Sequence, residues 1–175
     1  MVHGRTHDEA ADFRVKKYQL DFSVGLNLTG SAKVYVDRSE LKSYRFTLYH
    51  GYKVKQVTDQ TGAALDFRRE LDYVTVTRGG AAVEYLCLEY TGKSPKYYSS
   101  YAGVCLPANF AYYPIPGYRE LFKDSFYGFI DCSLPYDTAF DVRCSGRKQM
   151  YCNLAARGDN HFAGNARSIT LLSGY

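Results

Sequence analysis

The feature that most constrains this fold is a two-residue alternation near the N-terminus. Six apolar residues occupy every second position of one segment: Tyr18, Leu20, Phe22, Val24, Leu26 and Leu28. Successive side chains of a β-strand point to opposite faces, so this spacing predicts a strand whose apolar face packs against a core. No apolar stripe with helical spacing competes with it, and the pattern therefore favours a β protein.

The same alternation returns at intervals of about ten residues along most of the chain. It recurs at residues 32–36, 44–48, 73–77, 82–90, 140–144 and 149–154. Gly30 predicts the first turn, residues 59–62 a second, and residues 78–80 a hairpin turn. Parallel α/β folds need helical crossovers between strands, so this rhythm predicts an all-β fold, an antiparallel β-sandwich. A chain of this length forms one such domain, which we place at residues 13–175.

Charge and composition limit the classes of partner. The hydrophobic fraction of 46% is typical of a globular domain, and 22 Lys and Arg are interleaved with 18 Asp and Glu. Nucleic-acid-binding proteins gather their cations on one face or in one run, so we expect no nucleic-acid partner.

The N-terminal residues 1–12 are poor in apolar side chains and predict a flexible tail. This tail lacks the apolar core of a signal peptide, and no later segment reaches the length of a membrane span. The chain as given is therefore expected to be soluble. The sequence does not indicate in which compartment it works.

Cysteine and histidine positions give no sign of a metal or catalytic site. The five cysteines have no C-x-x-C spacing, which fits neither a complete disulfide framework nor a zinc ribbon. We expect most of them to be reduced, with a single Cys144–Cys152 disulfide as the alternative. The four histidines are His3, His7, His50 and His161. Two of them lie in the predicted tail, so we expect no metal site and no catalytic residue in this chain.

A tyrosine-rich segment, residues 96–118, interrupts the alternation and is the best candidate for recognition. Tyrosines on loops offer rigid, amphipathic contact area at low entropic cost. The competing interpretation is that these tyrosines only cover the edge of the sandwich. We predict Cys105 to be the most exposed thiol. The candidate binding or docking residues are Asn109, Tyr112, Tyr113, Pro114 and Tyr118.

Several short segments follow one another in an order that is typical of a known family. They are V-K-K-Y-Q-L-D at 15–21, Y-R-F-T-L at 44–48, L-C-L-E-Y-T-G at 86–92, Y-Y-P at 112–114, D-T-A-F-D-V at 137–142 and C-N-L at 152–154. In this order they resemble the N-terminal β-domain of M1-family (gluzincin) aminopeptidases. The resemblance extends from Phe13 over nearly the whole chain. It is closest to the M1-like domains that are fused to bacterial ABC-type permeases, which would make the parent protein membrane-associated.

The resemblance implies a saddle-like, noncatalytic domain that docks on a downstream zinc peptidase domain and shapes its substrate entrance. Zinc is then expected only in that downstream domain, because this sequence contains neither H-E-x-x-H nor G-x-M-E-N. Many family members contact the substrate through a Gln or Glu of the loop that corresponds to residues 101–109, where Asn109 is the only amide here. Partners would be the peptidase domain and, in the permease-fused variant, membrane segments. The alternative is a free-standing immunoglobulin-like or carbohydrate- or peptide-binding module.

Overall fold

The computed structural model describes residues 9–100, 102–119 and 132–174. Its strands are β1 (Val15–Val24), β2 (Asn27–Val36), β3 (Ser43–Thr47), β4 (Tyr52–Asp59), β5 (Phe67–Glu70), β6 (Tyr73–Thr77), β7 (Tyr85–Lys93), β8 (Val104–Leu106), β9 (Ile115–Pro116), β10 (Thr138–Ser145), β11 (Gln149–Cys152), β12 (Ala155–Gly158), β13 (His161–Ala166) and β14 (Leu171–Gly174). None of the described residues belongs to a helix with the length and apolar character needed to cross a membrane.

The strands form three sheets, and the predicted all-β class is confirmed. A seven-stranded sheet has the order β12-β13-β10-β1-β2-β7-β4, a four-stranded sheet the order β5-β6-β3-β9, and a three-stranded sheet the order β11-β14-β8. Pairing is antiparallel except between β1 and β10, which run parallel with Tyr18 opposite Phe140. The large sheet is therefore mixed, whereas the sequence predicted antiparallel pairing throughout.

The first hairpin turns five residues earlier than the sequence predicted. β1 ends at Val24 and β2 begins at Asn27, with the Gly25 amide donating to the Asn27 carbonyl at 3.1 Å. Gly30 lies inside β2, where it pairs with Tyr90 of β7. A Cβ atom at Gly30 would lie 2.6 Å from Cζ of Tyr90, so the glycine leaves room for a buried ring and does not make a turn.

Part of the predicted tail is paired with the sheet. Residues 1–8 lie outside the described residues, and there the flexible tail stays a prediction. Glu9 and Tyr118 exchange two backbone hydrogen bonds of 2.8 Å. Arg45 contacts the carboxylates of Glu9 and Asp12 at 2.9 Å and 3.2 Å. Residues 9–12 thus lie along the four-stranded sheet, which contains Arg45.

One hydrophobic core lies between the large sheet and the two smaller ones. Residues 110–118, the crossing segment, are buried at every position and run through this core. Tyr112 contacts the ring of Phe22 on the large sheet at 5.8 Å, and β9 pairs with β3 of the four-stranded sheet. The crossing segment therefore joins the inner faces of the sheets.

Candidate functional site

Most of the predicted docking residues are buried in the core of this structure. Tyr112 and Tyr113 have no exposed surface, Tyr118 is 6% exposed, and Pro114 is also buried. The Tyr113 ring packs edge-on against Tyr18 at 5.3 Å. These side chains already fill the space between the sheets, so they are not available to a partner in this conformation.

Tyrosine hydroxyls explain how an irregular segment can be buried here. Buried backbone carbonyls must accept hydrogen bonds, and a segment with few ladder partners needs other donors. Tyr18 donates to the Pro114 carbonyl at 2.6 Å, and Tyr90 donates to the Tyr112 carbonyl at 2.8 Å. Tyr112 in turn donates to the Ile169 carbonyl at 2.6 Å. The crossing segment is thus held to three parts of the chain by phenol–carbonyl bonds.

Burial also keeps these phenols protonated. It raises the pKa of Tyr18, Tyr90 and Tyr112 well above the usual value of a phenol, and neighbouring phenols such as Tyr113 raise it further. Each hydroxyl is therefore protonated at neutral pH and can act as a donor.

Asn109 lies just before the crossing segment, and Tyr118 is its last residue. Asn109 is exposed and precedes Phe110, whose amide donates to the Pro107 carbonyl at 3.1 Å in a turn. The Tyr118 hydroxyl contacts the Thr75 hydroxyl, and the Arg45 guanidinium lies 5.3 Å from the centre of its ring. The structure therefore does not assemble the predicted residues into one surface.

The outer side of the three-stranded sheet carries a row of apolar side chains that sequence reasoning missed. Tyr151 of β11 lies opposite Leu172 of β14, which lies opposite Cys105 of β8. Tyr151 is 58% exposed and Leu172 is 43% exposed, and the Cys105 thiol is exposed as predicted. The solvent side of an antiparallel sheet is normally polar, so this row is unusual for a surface that meets only water.

Tyr97 extends the apolar row at the edge of the sheet. It is 68% exposed and packs edge-on against Tyr98 at 4.5 Å. The amide of Cys105 donates to the Tyr98 carbonyl at 2.8 Å, which ties this loop to β8. Four residues then share one shallow depression of about 540 Å³ and form what we call the apolar face: Tyr97, Cys105, Tyr151 and Leu172.

A sequence signal for this face does exist. Leu171 and Leu172 are adjacent, and adjacent strand residues point to opposite faces. One of the two leucines must then face away from the core, and the structure buries Leu171 and exposes Leu172. Tyr151 follows Met150 in the same way, with Met150 buried.

The described residues do not form a zinc site. His161 Nε2 lies 2.8 Å from Asp141 Oδ1, and His50 Nδ1 lies 2.9 Å from Asp72 Oδ1. Each pair offers two candidate ligands, whereas a zinc site needs at least three. Over residues 9–100, 102–119 and 132–174 there is no group of three or more His, Cys, Asp or Glu that could hold a metal.

All five cysteines are free thiols, so the Cys144–Cys152 bridge is not formed in this structure. Burial, together with the nearby Cys152 and Asp21, raises the pKa of the Cys144 thiol to about 12. The reactive species is the thiolate, so Cys144 is a poor nucleophile at neutral pH.

Comparisons with solved structures identify the fold. The M1 zinc metallopeptidase from Deinococcus radiodurans matches 95% of this chain with a TM-score of 0.64 at 13% identity, and the match covers 43% of that protein. Yeast LTA4 hydrolase in complex with bestatin matches 99% of this chain with a TM-score of 0.63 at 14% identity, covering 31% of the hydrolase. No family model matches the chain. No curated protein matches it either.

This chain therefore has a fold that is found in M1 zinc metallopeptidase structures. It spans less than half the length of the solved structures that it matches.

Proposed function

We propose that this chain is a noncatalytic N-terminal domain of an M1-like zinc metallopeptidase and that it docks on a peptidase domain through the apolar face. The observation that carries this proposal is the exposed row of Tyr151, Leu172 and Cys105. Apolar surface of this kind is typical of a side that a partner covers.

The fold comparisons support a partner of this class. The two solved structures compared above are a zinc metallopeptidase and a hydrolase, and more than half of each lies outside the match. A peptidase domain encoded downstream would supply the covering surface. Zinc would be held by that domain, since the described residues here do not fit a zinc site.

Sequencing the natural reading frame on both sides of residues 1–175 tests the parent protein. We expect an H-E-x-x-H motif and a further Glu ligand downstream of Tyr175. Apolar spans encoded upstream of Met1 would support the narrower resemblance to permease-fused domains. A stop codon directly after Tyr175 would contradict the proposal and favour a free-standing glycan- or peptide-binding module.

Charged substitutions on the apolar face test the docking surface. We expect Leu172→Asp or Tyr151→Asp to weaken binding of this chain to the downstream domain about 30-fold or more, because each places an unpaired charge in an apolar contact. Isothermal titration calorimetry measures the affinities. Leu71→Asp is the matched control, since Leu71 is 73% exposed on the β5–β6 turn, outside the apolar face. Equal losses in all three variants would overturn the assignment of this surface.

The isolated chain is expected to hydrolyse no aminoacyl substrate. Leucine p-nitroanilide, assayed with and without added zinc, checks this, and the parent protein serves as the positive control. Turnover that copurifies with the monomeric chain would contradict a noncatalytic role.

A further inference from the structure

A cleft of about 680 Å³ lies between two turns and the end of a strand. The β1–β2 turn, the β10–β11 turn and the end of β14 contribute to its walls. This volume is within the range of small-molecule sites, which run from about 300 to 1,000 Å³. The cleft adjoins the depression of the apolar face, with which it shares Ser100, Val104 and Ser173, but it contains none of the four residues that define that face.

The walls of the cleft combine apolar surface with positive charge. Val24, Leu26, Val104 and Met150 supply the apolar part. Arg147 and Lys148 supply two cations from the β10–β11 turn, and no carboxylate is among the described residues that line the cleft. Ser23, Ser100 and Ser173 add hydroxyl groups. A ligand that satisfies both parts of this lining is negatively charged at one end and apolar at the other.

Close backbone packing holds the β10–β11 turn against the end of β1. A Cβ atom at Gly146 would lie 2.7 Å from the Val24 carbonyl oxygen, so the β10–β11 turn can approach the end of β1 closely only because residue 146 is a glycine. This approach places Arg147 beside the β1–β2 turn. Leu26 in that turn is 48% exposed, which leaves apolar surface open to the cleft.

We propose that this cleft binds a small organic carboxylate with an apolar body. Hydrogen bonds from Arg147 to the carboxylate are charge-assisted and are stronger than bonds to a neutral group, and Lys148 adds positive charge beside them. The body of the ligand packs on Leu26, Val24 and Met150. A strongly hydrated inorganic anion would gain nothing from these apolar walls, and a neutral alkyl ligand would gain nothing from the cations.

Three ligands with the same tail and different head groups test the proposal on the intact chain. Octanoate, 1-octanol and octylammonium are titrated and followed by the ¹H–¹⁵N NMR shifts of residues 25–27 and 146–148. We expect octanoate to shift these amides and to bind about tenfold more tightly than 1-octanol, with octylammonium the weakest. Octanoate that binds no more tightly than 1-octanol, or that shifts only amides elsewhere, would overturn the proposal.

Variants separate the charged and apolar parts of the site. The double variant Arg147→Gln, Lys148→Gln is expected to lower octanoate affinity about tenfold and to leave 1-octanol within about twofold. Leu26→Ser is expected to weaken both ligands. Arg143→Gln is the matched control, because Arg143 is a cation of the same strand-turn region that lines a different depression. Octanoate affinity that is unchanged in the double variant would contradict the site.

Parallel titrations with two carboxylates distinguish a peptide ligand from an acyl-chain ligand. N-acetyl-leucine presents the carboxylate of a peptide end, and octanoate presents that of an acyl chain. Binding of either compound that is weakened by the double variant supports the site, and the compound that binds more tightly indicates whether the natural ligand is a peptide end or an acyl chain. Failure of both leaves the docking proposal unaffected, because the apolar face is tested by different variants.

Discussion

Replacing Tyr112 by alanine is expected to lower the free energy of unfolding by about 4 kcal/mol. The side chain is wholly buried, contacts the rings of Phe22 and Tyr113 at 5.8 Å and 5.0 Å, and donates to the Ile169 carbonyl at 2.6 Å. Its removal leaves a cavity and an unpaired buried carbonyl together. Urea denaturation followed by circular dichroism measures the loss.

Two further variants separate the contributions of the cavity and of the lost hydrogen bond to this loss of stability. Tyr112→Phe keeps the ring and removes the hydroxyl, so a loss of about 1–2 kcal/mol is expected from the unpaired Ile169 carbonyl. Tyr151→Ala changes an exposed tyrosine of the apolar face and is expected to cost less than about 0.5 kcal/mol. A Tyr112→Ala variant that stays as stable as the wild type but loses partner binding would instead support the docking role predicted from sequence.

Replacing Gly30 by alanine is expected to cost about 1–3 kcal/mol through overpacking. The new methyl group would lie 2.6 Å from Cζ of Tyr90, which is 1% exposed. The ring cannot swing away freely, because its hydroxyl donates to the Tyr112 carbonyl at 2.8 Å. The substitution therefore disturbs the large sheet and the crossing segment at the same time.

Gly80→Ala is the matched control for this second variant. A Cβ atom at Gly80 would meet nothing within 4 Å. Its φ lies outside the left-handed region, so alanine there is expected to be neutral or slightly stabilising because it reduces the freedom of the unfolded chain. Equal melting temperatures for Gly30→Ala and Gly80→Ala would show that the Gly30–Tyr90 contact is not tight.

The strands were predictable because a two-residue alternation is a local pattern. It indicated β1, β7 and the all-β class without any knowledge of which strands pair with each other. The parallel pairing of β1 with β10 was not predictable, since alternation is the same in either strand direction. This pairing joins residues far apart in sequence, as in the 2.9 Å bond from the Thr138 hydroxyl to the Val15 carbonyl.

The candidate site was harder to predict, because tyrosine suits both a core and a surface. Tyr112 and Tyr97 belong to the same tyrosine-rich segment, yet one has no exposed surface and the other is 68% exposed. Composition does not separate these two outcomes, since they depend on which residues the sheets enclose. The adjacent leucines 171 and 172 were the stronger signal, because strand geometry forces one of them outward.

Alkylation of Cys105 tests the central claim, the covering of the apolar face, most directly. Cys105 is the exposed thiol of the five, and it lies within the face beside Leu172. Cys144, with its raised pKa, is the slow internal control. We expect iodoacetamide to modify Cys105 readily in the isolated chain and about tenfold or more slowly when the proposed peptidase domain is attached. Equal rates in the two proteins would contradict docking through this face.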